Sequence, residues 1–339
     1  MNNVKRKTDP AGHGGRLSQL LPCVLLLFLI LGGAYRSFVH APAVPAPAPD
    51  ARTQTVTVVS APQPSDSAAV PLSVRRTRRP NCYTILVCGI DNAGGGSDTT
   101  MLMRFDAQER RVDLVSLPRD TLLHHDWYSN KLNYAYASGG VERLRAEVEN
   151  LLGVPVDFYV AVDLRGFVAL VDRIGGVDFD IPVDMDYDDP MQGLHIHFEK
   201  GPHHLNGQQA MEVVRWRKNN DGSGYPEADI GRIATQQSFL KAVAAQAMRL
   251  GNAPALAQVF FSYVKTDLTS GNLVWLASEA MDIGTEGVAF HTLPGDGAGS
   301  YRRESVYVLD PDATLTLVND ALNPYDLPIA ADETDILVP

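Results

Sequence analysis

Tyr83–Asp120 reads YTILVCGIDNAGGGSDTTMLMRFDAQERRVDLVSLPRD, and three short apolar runs stand out in it: Tyr83–Ile90, Thr100–Phe105 and Val112–Leu117. Each is rich in β-forming residues and has the length of a buried strand, so the stretch predicts three strands. Polar residues fill the gaps: Asp91, the triplet Gly94–Gly95–Gly96, Ser97–Asp98, and then Arg119–Asp120. Carboxylates and an arginine therefore fall where strands end, which is where α/β proteins usually keep their chemistry. That combination suits a magnesium ion beside a phosphate group.

Downstream, strands and helices alternate. Val141, Leu144, Val148, Leu151 and Leu152 recur at helical spacing, and Gly153 follows as a stop signal. Val154–Val162 reads as a strand, Asp163 as the N-cap of a helix to Ile174, and Val177–Ile181 as the next strand. This alternation predicts one α/β domain with a central mixed sheet flanked by helices. Pro182–Gly201 reads as a hairpin excursion in which His195 and His197 share a strand face, with His203 and His204 close behind. A zinc site there has neither a cysteine nor an HExxH spacing to support it, so surface imidazoles are the default.

A second polar cluster lies further on. Leu205–Arg217 reads LNGQQAMEVVRWR, a short helix capped by Asn206 with Arg215 and Arg217 near its end. If the chain is extended there, both guanidinium groups point the same way around Trp216. A long helix starts near Asp229, and on it Arg232 and Gln236 form an i,i+4 pair while Ile233, Phe239, Leu240 and Val243 face elsewhere. Three arginines and a glutamine on neighbouring elements suit a fork for phosphate oxygens, or else a solvated, salt-bridged surface.

Upstream of the opening stretch the composition changes twice. Leu17–Tyr35 carries no charged residue and follows Lys5, Arg6, Lys7 and Arg16. Nineteen helical residues reach about 28 Å, close to the thickness of a bilayer core. The cationic flank predicts a single-pass anchor with its N-terminus in the cytoplasm. A cleaved signal peptide is the alternative, given the small residues Gly32–Gly33–Ala34. Arg36–Pro80 is Pro/Ala/Ser-rich and reads as a disordered tether. The expected organisation is a cytoplasmic tail (1–16), an anchor (17–35), a linker (36–80), an extracytoplasmic catalytic domain (81–325) and a C-terminal tail (326–339).

Charge divides unevenly along this layout. Residues 1–80 hold ten Lys/Arg against three Asp/Glu, and residues 81–339 hold nineteen against 37, a net of −18. So acidic a domain is a poor nucleic-acid binder, because that affinity rests on phosphate neutralisation. A few local arginines can still dominate a phosphate site, since salt screens distant charges beyond about 8–10 Å. The cysteines imply no disulfide framework. Cys23 lies in the apolar stretch, and Cys82 and Cys88 sit six residues apart on one strand, about 20 Å by strand geometry.

The motifs in order are GID (Gly89–Asp91), SDTTML (Ser97–Leu102), SLPRD (Ser116–Asp120), KLNYAYASGG (Lys131–Gly140), VDFYVAVDLRGFVALVDRIGGVDFDIP (Val156–Pro182), LNGQQAMEVVRWR (Leu205–Arg217) and DIGRIATQQ (Asp229–Gln237). In this succession the chain resembles the LytR-CpsA-Psr family of cell-envelope glycopolymer transferases. The resemblance extends through Lys265–Ala277 and Tyr307–Leu322, nearly the whole exported domain. It implies that domain's fold and a transfer of glycopolymer from a polyprenyl-pyrophosphate carrier to peptidoglycan at the membrane. By the same resemblance Asp91 and Asp98 hold Mg2+, with Mn2+ as an alternative. Arg119, Lys131, Arg215, Arg217, Arg232 and Gln236 bind the pyrophosphate, and Arg119, Asp91, Arg215 and Arg217 are the catalytic group. The sequence departs from the family where Gly96 precedes Ser97 in place of a usual arginine. There the glycine run's N–H groups are the expected replacement. The resemblance leaves open a hydrolase using water as the acceptor, and a transcription attenuator, a label the family has carried. An exported acidic domain without a cytoplasmic helix-turn-helix argues against the attenuator.

Overall fold

Period-2 alternation in β1 (Cys82–Ile90) sends Tyr83 and Ile85 to one side and Leu86, Cys88 and Ile90 to the other, and both sides are buried. A strand apolar on both faces belongs in the interior of a sheet, and β1 lies between β2 (Ser97–Asp106) and β4 (Phe158–Asp163). The computed structural model describes residues 39–45, 76–90, 97–124, 129–191, 193–225, 229–250 and 264–338. With β3 (Arg111–Leu117), β9 (Val264–Thr266) and β10 (Val288–Thr292), the six-stranded sheet has the order β10-β3-β2-β1-β4-β9. It is mixed, as expected: β1 runs parallel to β4 and β3 to β10, whereas β2 is antiparallel to both its neighbours and β9 to β4.

Helices cover both faces. On one, Leu144, Val148, Leu151 and Leu152 of α1 (Leu132–Leu152) pack on Leu86, Cys88, Leu102 and Val115. The C-terminal residues Val318, Ala321, Leu322 and Ile329 complete that layer, so part of the expected tail belongs to the core. On the other face Tyr83, Ile85, Phe105 and Phe158 meet α5 (Ser270–Ile283) through Leu276 and Ile283, and Trp275 stacks edge-on against Tyr83. A third core lies outside the sheet. It joins α2 (Leu164–Arg173), α3 (Gly207–Arg215) and α4 (Asp229–Leu250) to the two-stranded ladders β5–β8 (Val177–Ile181 with Gly201–Leu205) and β6–β7 (Met185–Asp189 with Leu194–Phe198).

Two boundaries differ from the sequence reading. Helix α1 begins at Leu132, ahead of Val141, because KLNYAYAS is itself helical; Gly139 and Gly140 break it into two limbs, with Gly140 at φ 67°. The fourth strand starts at Phe158, after the expected Val154. Pro155 offers no N–H to a ladder, and Asp157 turns instead to bind Thr84 through both its backbone and its carboxylate. Other signals hold: Gly153 caps α1 at φ 66°, Asp163 accepts from Gly166 N, and Asn206 forms a capping box with Gln209.

The start and end of the domain are joined. Arg78 bridges to Tyr325, Arg79 N donates to Pro324 O, and Asp326 N donates to Thr77 O. Arg76 pairs with Glu333 at 2.6 Å. Two pieces of the expected linker thus touch the fold, residues 76–80 here and residues 39–45, where His40 O accepts from Asn272 on α5. Among the described residues no helix is long and apolar enough to cross a membrane. The expected anchor at 17–35 lies outside them.

Candidate active site

Strand directions bring the quoted motifs to one end of the sheet. The carboxyl ends of β1, β3, β4 and β10 meet there with the amino end of β2: Ile90 pairs with Ser97 and Asp163, Thr100 with Leu117, and Ser116 with Thr292. Between Gly89 and Ile90 the register shifts, so that Thr99 faces Gly89, Ser97 faces Ile90 and Asp98 is the extra residue of a bulge. Bulges of this kind recur beside functional sites because they re-aim one position of a strand. Asp91, the glycine run and the side chain of Asp98 lie outside the described residues.

Two adjacent glutamines of α4 tie this end together. Gln237 Nε2 donates to Ser116 Oγ at 2.9 Å, His291 O at 2.8 Å and Thr292 Oγ1 at 3.1 Å, which fixes the helix across β3 and β10. Gln236 Nε2 donates to Val214 O at 3.0 Å, and its Oε1 accepts from Thr99 Oγ1 at 3.4 Å. One side chain therefore links the SDTT strand to the last turn of α3, next to Arg215. Arg232, one turn before Gln236, is buried.

The Arg215–Arg217 segment is seated by Trp216. Its φ of −60° and ψ of 138° make it extended, as the alternation required, and its side chain is buried edge-on against Tyr225 with ring centroids 4.7 Å apart. Tyr225 in turn presses on Gly231, where a Cβ would fall 2.5 Å from the tyrosine Cβ. The arginine segment and the start of α4 are thereby held in one packed contact. Arg215 is half-buried, with Nη1 donating to Met211 Sδ at 3.9 Å, whereas Arg217 is exposed.

On the far side of Ser116 the chain turns through Arg119 and Asp120. Asn133 N donates to Arg119 O and Leu132 N to Thr121 O, so the first turn of α1 is docked on the SLPRD loop. This brings Lys131 beside Asp120: Asp120 Oδ1 lies 3.5 Å from Lys131 Nζ and 3.6 Å from Arg119 Nε. Asp120 is thus flanked by two cations, Lys131 and Arg119. Asp91 and Asp98 adjoin the closing pair Ile90–Ser97 in sequence, and carboxylates are hard oxygen ligands of the kind magnesium takes.

Sequence reasoning missed Gln237, Thr99 and Ser116 as the fastenings of this end. The pair of amides in the middle of an otherwise amphipathic helix was the available signal. The histidines fall on strand faces: His195 and His197 on β7 and His204 on β8 are exposed, and His203 on β8 is half-buried.

The class is defined by a mixed α/β sheet whose strand ends meet arginine-bearing segments from three distant parts of the chain. Residues 52–321 match the model of the LytR_cpsA_psr family, and the chain belongs to that family. Among its relatives, the polyisoprenyl-teichoic acid–peptidoglycan teichoic acid transferase TagU of Bacillus anthracis is 33% identical over 224 residues, 63% of this chain and 69% of that protein. The corresponding transferase TagV of Bacillus subtilis is 30% identical over 248 residues. That match covers 68% of this chain and spans 61% of the relative's length. The crystal structure of TagV aligns with a TM-score of 0.57 at 28% identity, over 70% of this chain and 92% of that one. A crystal structure of a protein from Enterococcus faecalis described as a transcriptional regulator aligns with a TM-score of 0.60 at 26% identity, over 70% and 85%.

Proposed function

We propose that this chain is a phosphotransferase that moves a teichoic-acid- or capsule-type glycopolymer from a polyprenyl-pyrophosphate carrier to a hydroxyl of peptidoglycan. The observation that carries this reading is the double fastening by Gln236 and Gln237, which gathers the segments bearing Arg119, Arg215, Arg217 and Arg232 at the strand end where the SDTT motif begins. The names of the TagU and TagV relatives support it. In the reaction an acceptor hydroxyl oxygen attacks the polymer-linked phosphorus. A new P–O bond forms there, the bond from that phosphorus to the bridging oxygen breaks, and polyprenyl phosphate leaves with the electron pair.

Each residue has a part in this scheme. Arg119, Arg215, Arg217 and Arg232 hold diphosphate oxygens, in the bidentate geometry that guanidinium groups favour, and offset the charge growing on the leaving phosphate. Lys131 adds a point charge, and Gln236 sets the distance between the SDTT strand and the arginine segment. The hydroxyl proton passes to a carboxylate, Asp91 or Asp120. When bound at Asp91 and Asp98, Mg2+ (or Mn2+) neutralises phosphate oxygens as in other phosphoryl transfers. The anchor and tether read from the sequence would hold the domain outside the cytoplasmic membrane, where carrier lipid and peptidoglycan meet.

The test is polymer attachment in a reconstituted assay with lipid-linked polymer, with and without peptidoglycan. Arg119→Ala and Asp98→Ala are each expected to reduce transfer by about 10³-fold or more, the scale for losing a phosphate-clamping group, while circular dichroism stays native. Full transfer by both variants overturns the reading. Release of polymer phosphate at equal rates with and without acceptor would reassign the chain as a hydrolase.

A further inference from the structure

We propose that the β6–β7 hairpin is a binding site for a divalent transition metal of the Zn2+, Co2+, Ni2+ or Cu2+ class, held by Asp188, His195 and His197. The register of the hairpin pairs Asp186 with His197 and Asp188 with His195, so four ligand-type side chains stand on one face of two neighbouring strands. The opposite face is apolar, with Met185, Leu194 and Ile196 buried in the third core, so the backbone beneath the four is anchored. One ligand atom each from Asp188, His195 and His197 comes within 4.8 Å of the other two. Tetrahedral zinc with bonds of about 2.0–2.2 Å sets its donor atoms about 3.3 Å apart. His197 Nε2 is already 3.4 Å from Asp188 Oδ1. His195 Nδ1 lies 2.6 Å from the same oxygen and would exchange that hydrogen bond for the metal.

Two further features separate this cluster from a chance group of surface charges. His197 Nδ1 is engaged at 2.7 Å by Asp186 Oδ1, which leaves Nε2 as the ring nitrogen that faces Asp188. A carboxylate behind a ligating imidazole is the arrangement that orients histidines at metal centres and raises their basicity. The strand bearing both aspartates is also braced from outside. Asp186 N donates to Asn219 Oδ1 at 2.6 Å, Asp188 N to Asn220 Oδ1 at 3.1 Å, and Asn220 N to Asp186 O at 2.9 Å. A ligand set held on strands and buttressed in this way loses little freedom on binding. Three protein ligands on an exposed face leave a fourth position to water, and imidazole nitrogens favour the borderline metals over magnesium. The site is independent of Asp91 and Asp98 and does not rest on the proposed transfer reaction. The bracing asparagines come two and three residues after Arg217, so a bound ion would stiffen the loop that follows the arginine segment.

Titration of the untagged full chain with Co2+ in excess Mg2+, followed by visible ligand-field absorption and by thermal melting, tests the proposal. Saturable uptake of one equivalent and a raised Tm are expected. His195→Ala and His197→Ala should each weaken binding at least tenfold and remove the shift in Tm. Asp186→Asn should weaken it by about 10–100-fold, the effect of removing an outer partner of a ligating histidine. Asp98→Ala should leave it unchanged. Absence of saturable binding, or binding equally tight in the His195→Ala/His197→Ala double variant, overturns the assignment. These side chains are exposed, so their replacement does not put folding at risk.

Discussion

Arg119 and Arg215 are partly buried and Arg232 is buried, and the residue types of all three were visible in the sequence as motifs. A guanidinium after a strand or at a helix end is visible as a motif because its chemistry depends on the residue type alone. The fastenings were less legible: Gln237 makes three hydrogen bonds to distant strands, and nothing about a glutamine in a helix announces which acceptors it will meet. The absence of a disulfide between Cys82 and Cys88 was read correctly, and both of these cysteines are free and fully buried. Burial pushes the thiols of Cys82 and Cys88 up to about 12. Neither is expected to react with a thiol reagent at pH 8 in the native protein, and both should react after denaturation, as a timed labelling assay would read out. Prompt labelling of Cys82 or Cys88 in the folded chain, assigned by peptide mapping, would contradict the burial of β1.

Elements were legible where period and caps agreed. Strands β1 to β3 and β5 fall within a few residues of their expected limits, and the caps at Asp163, Asn206 and Gly153 act as read. The first limb of α1 escaped because two glycines interrupt the period, and the fourth strand was overextended because Val154 and Val156 look like strand although Pro155 prevents pairing. Gln237→Ala should destabilise the fold by about 1–3 kcal/mol, the cost of leaving buried polar partners unsatisfied. It should also lower transfer activity, since α4 then loses its hold on β3 and β10; urea unfolding together with the attachment assay reads both. Gly207 shows how closely two elements can approach: a Cβ there would fall 2.2 Å from the Val168 carbonyl oxygen, where α3 meets α2. Gly207→Ala is expected to cost about 1–3 kcal/mol in the same unfolding measurement, as overpacking does.

For the molecule as a whole, the mixed sheet between helices was foreseen, but the strand order was not. Periodicity tells which residues are buried and says nothing of which strand they lie beside, so the parallel pairing of β3 with β10, far apart in the chain, came only with the structure. Stability should respond to pH through the ladder β5–β8. The Asp178 carboxylate accepts from His204 Nδ1, and with the Gly175 carbonyl at Nε2 it raises the His204 pKa above its usual 6.5. The folded state thus favours the imidazolium. Its contribution is complete below about pH 6.5, where the unfolded chain is also protonated, and is lost as pH rises through the folded value. An NMR titration should place His204 above the unfolded midpoint, and Asp178→Asn should bring it down; an unchanged midpoint would refute the pairing. The joining of Thr77–Arg79 to Pro324–Asp326 has one more implication. These residues adjoin the amino end of β1, and the nine residues of that strand run about 26 Å, at ~3.3 Å per step, to the opposite pole where the cationic segments gather. A pull on the polypeptide at Arg76 therefore takes hold of the domain at its heel, the end of β1 opposite the arginine-bearing segments.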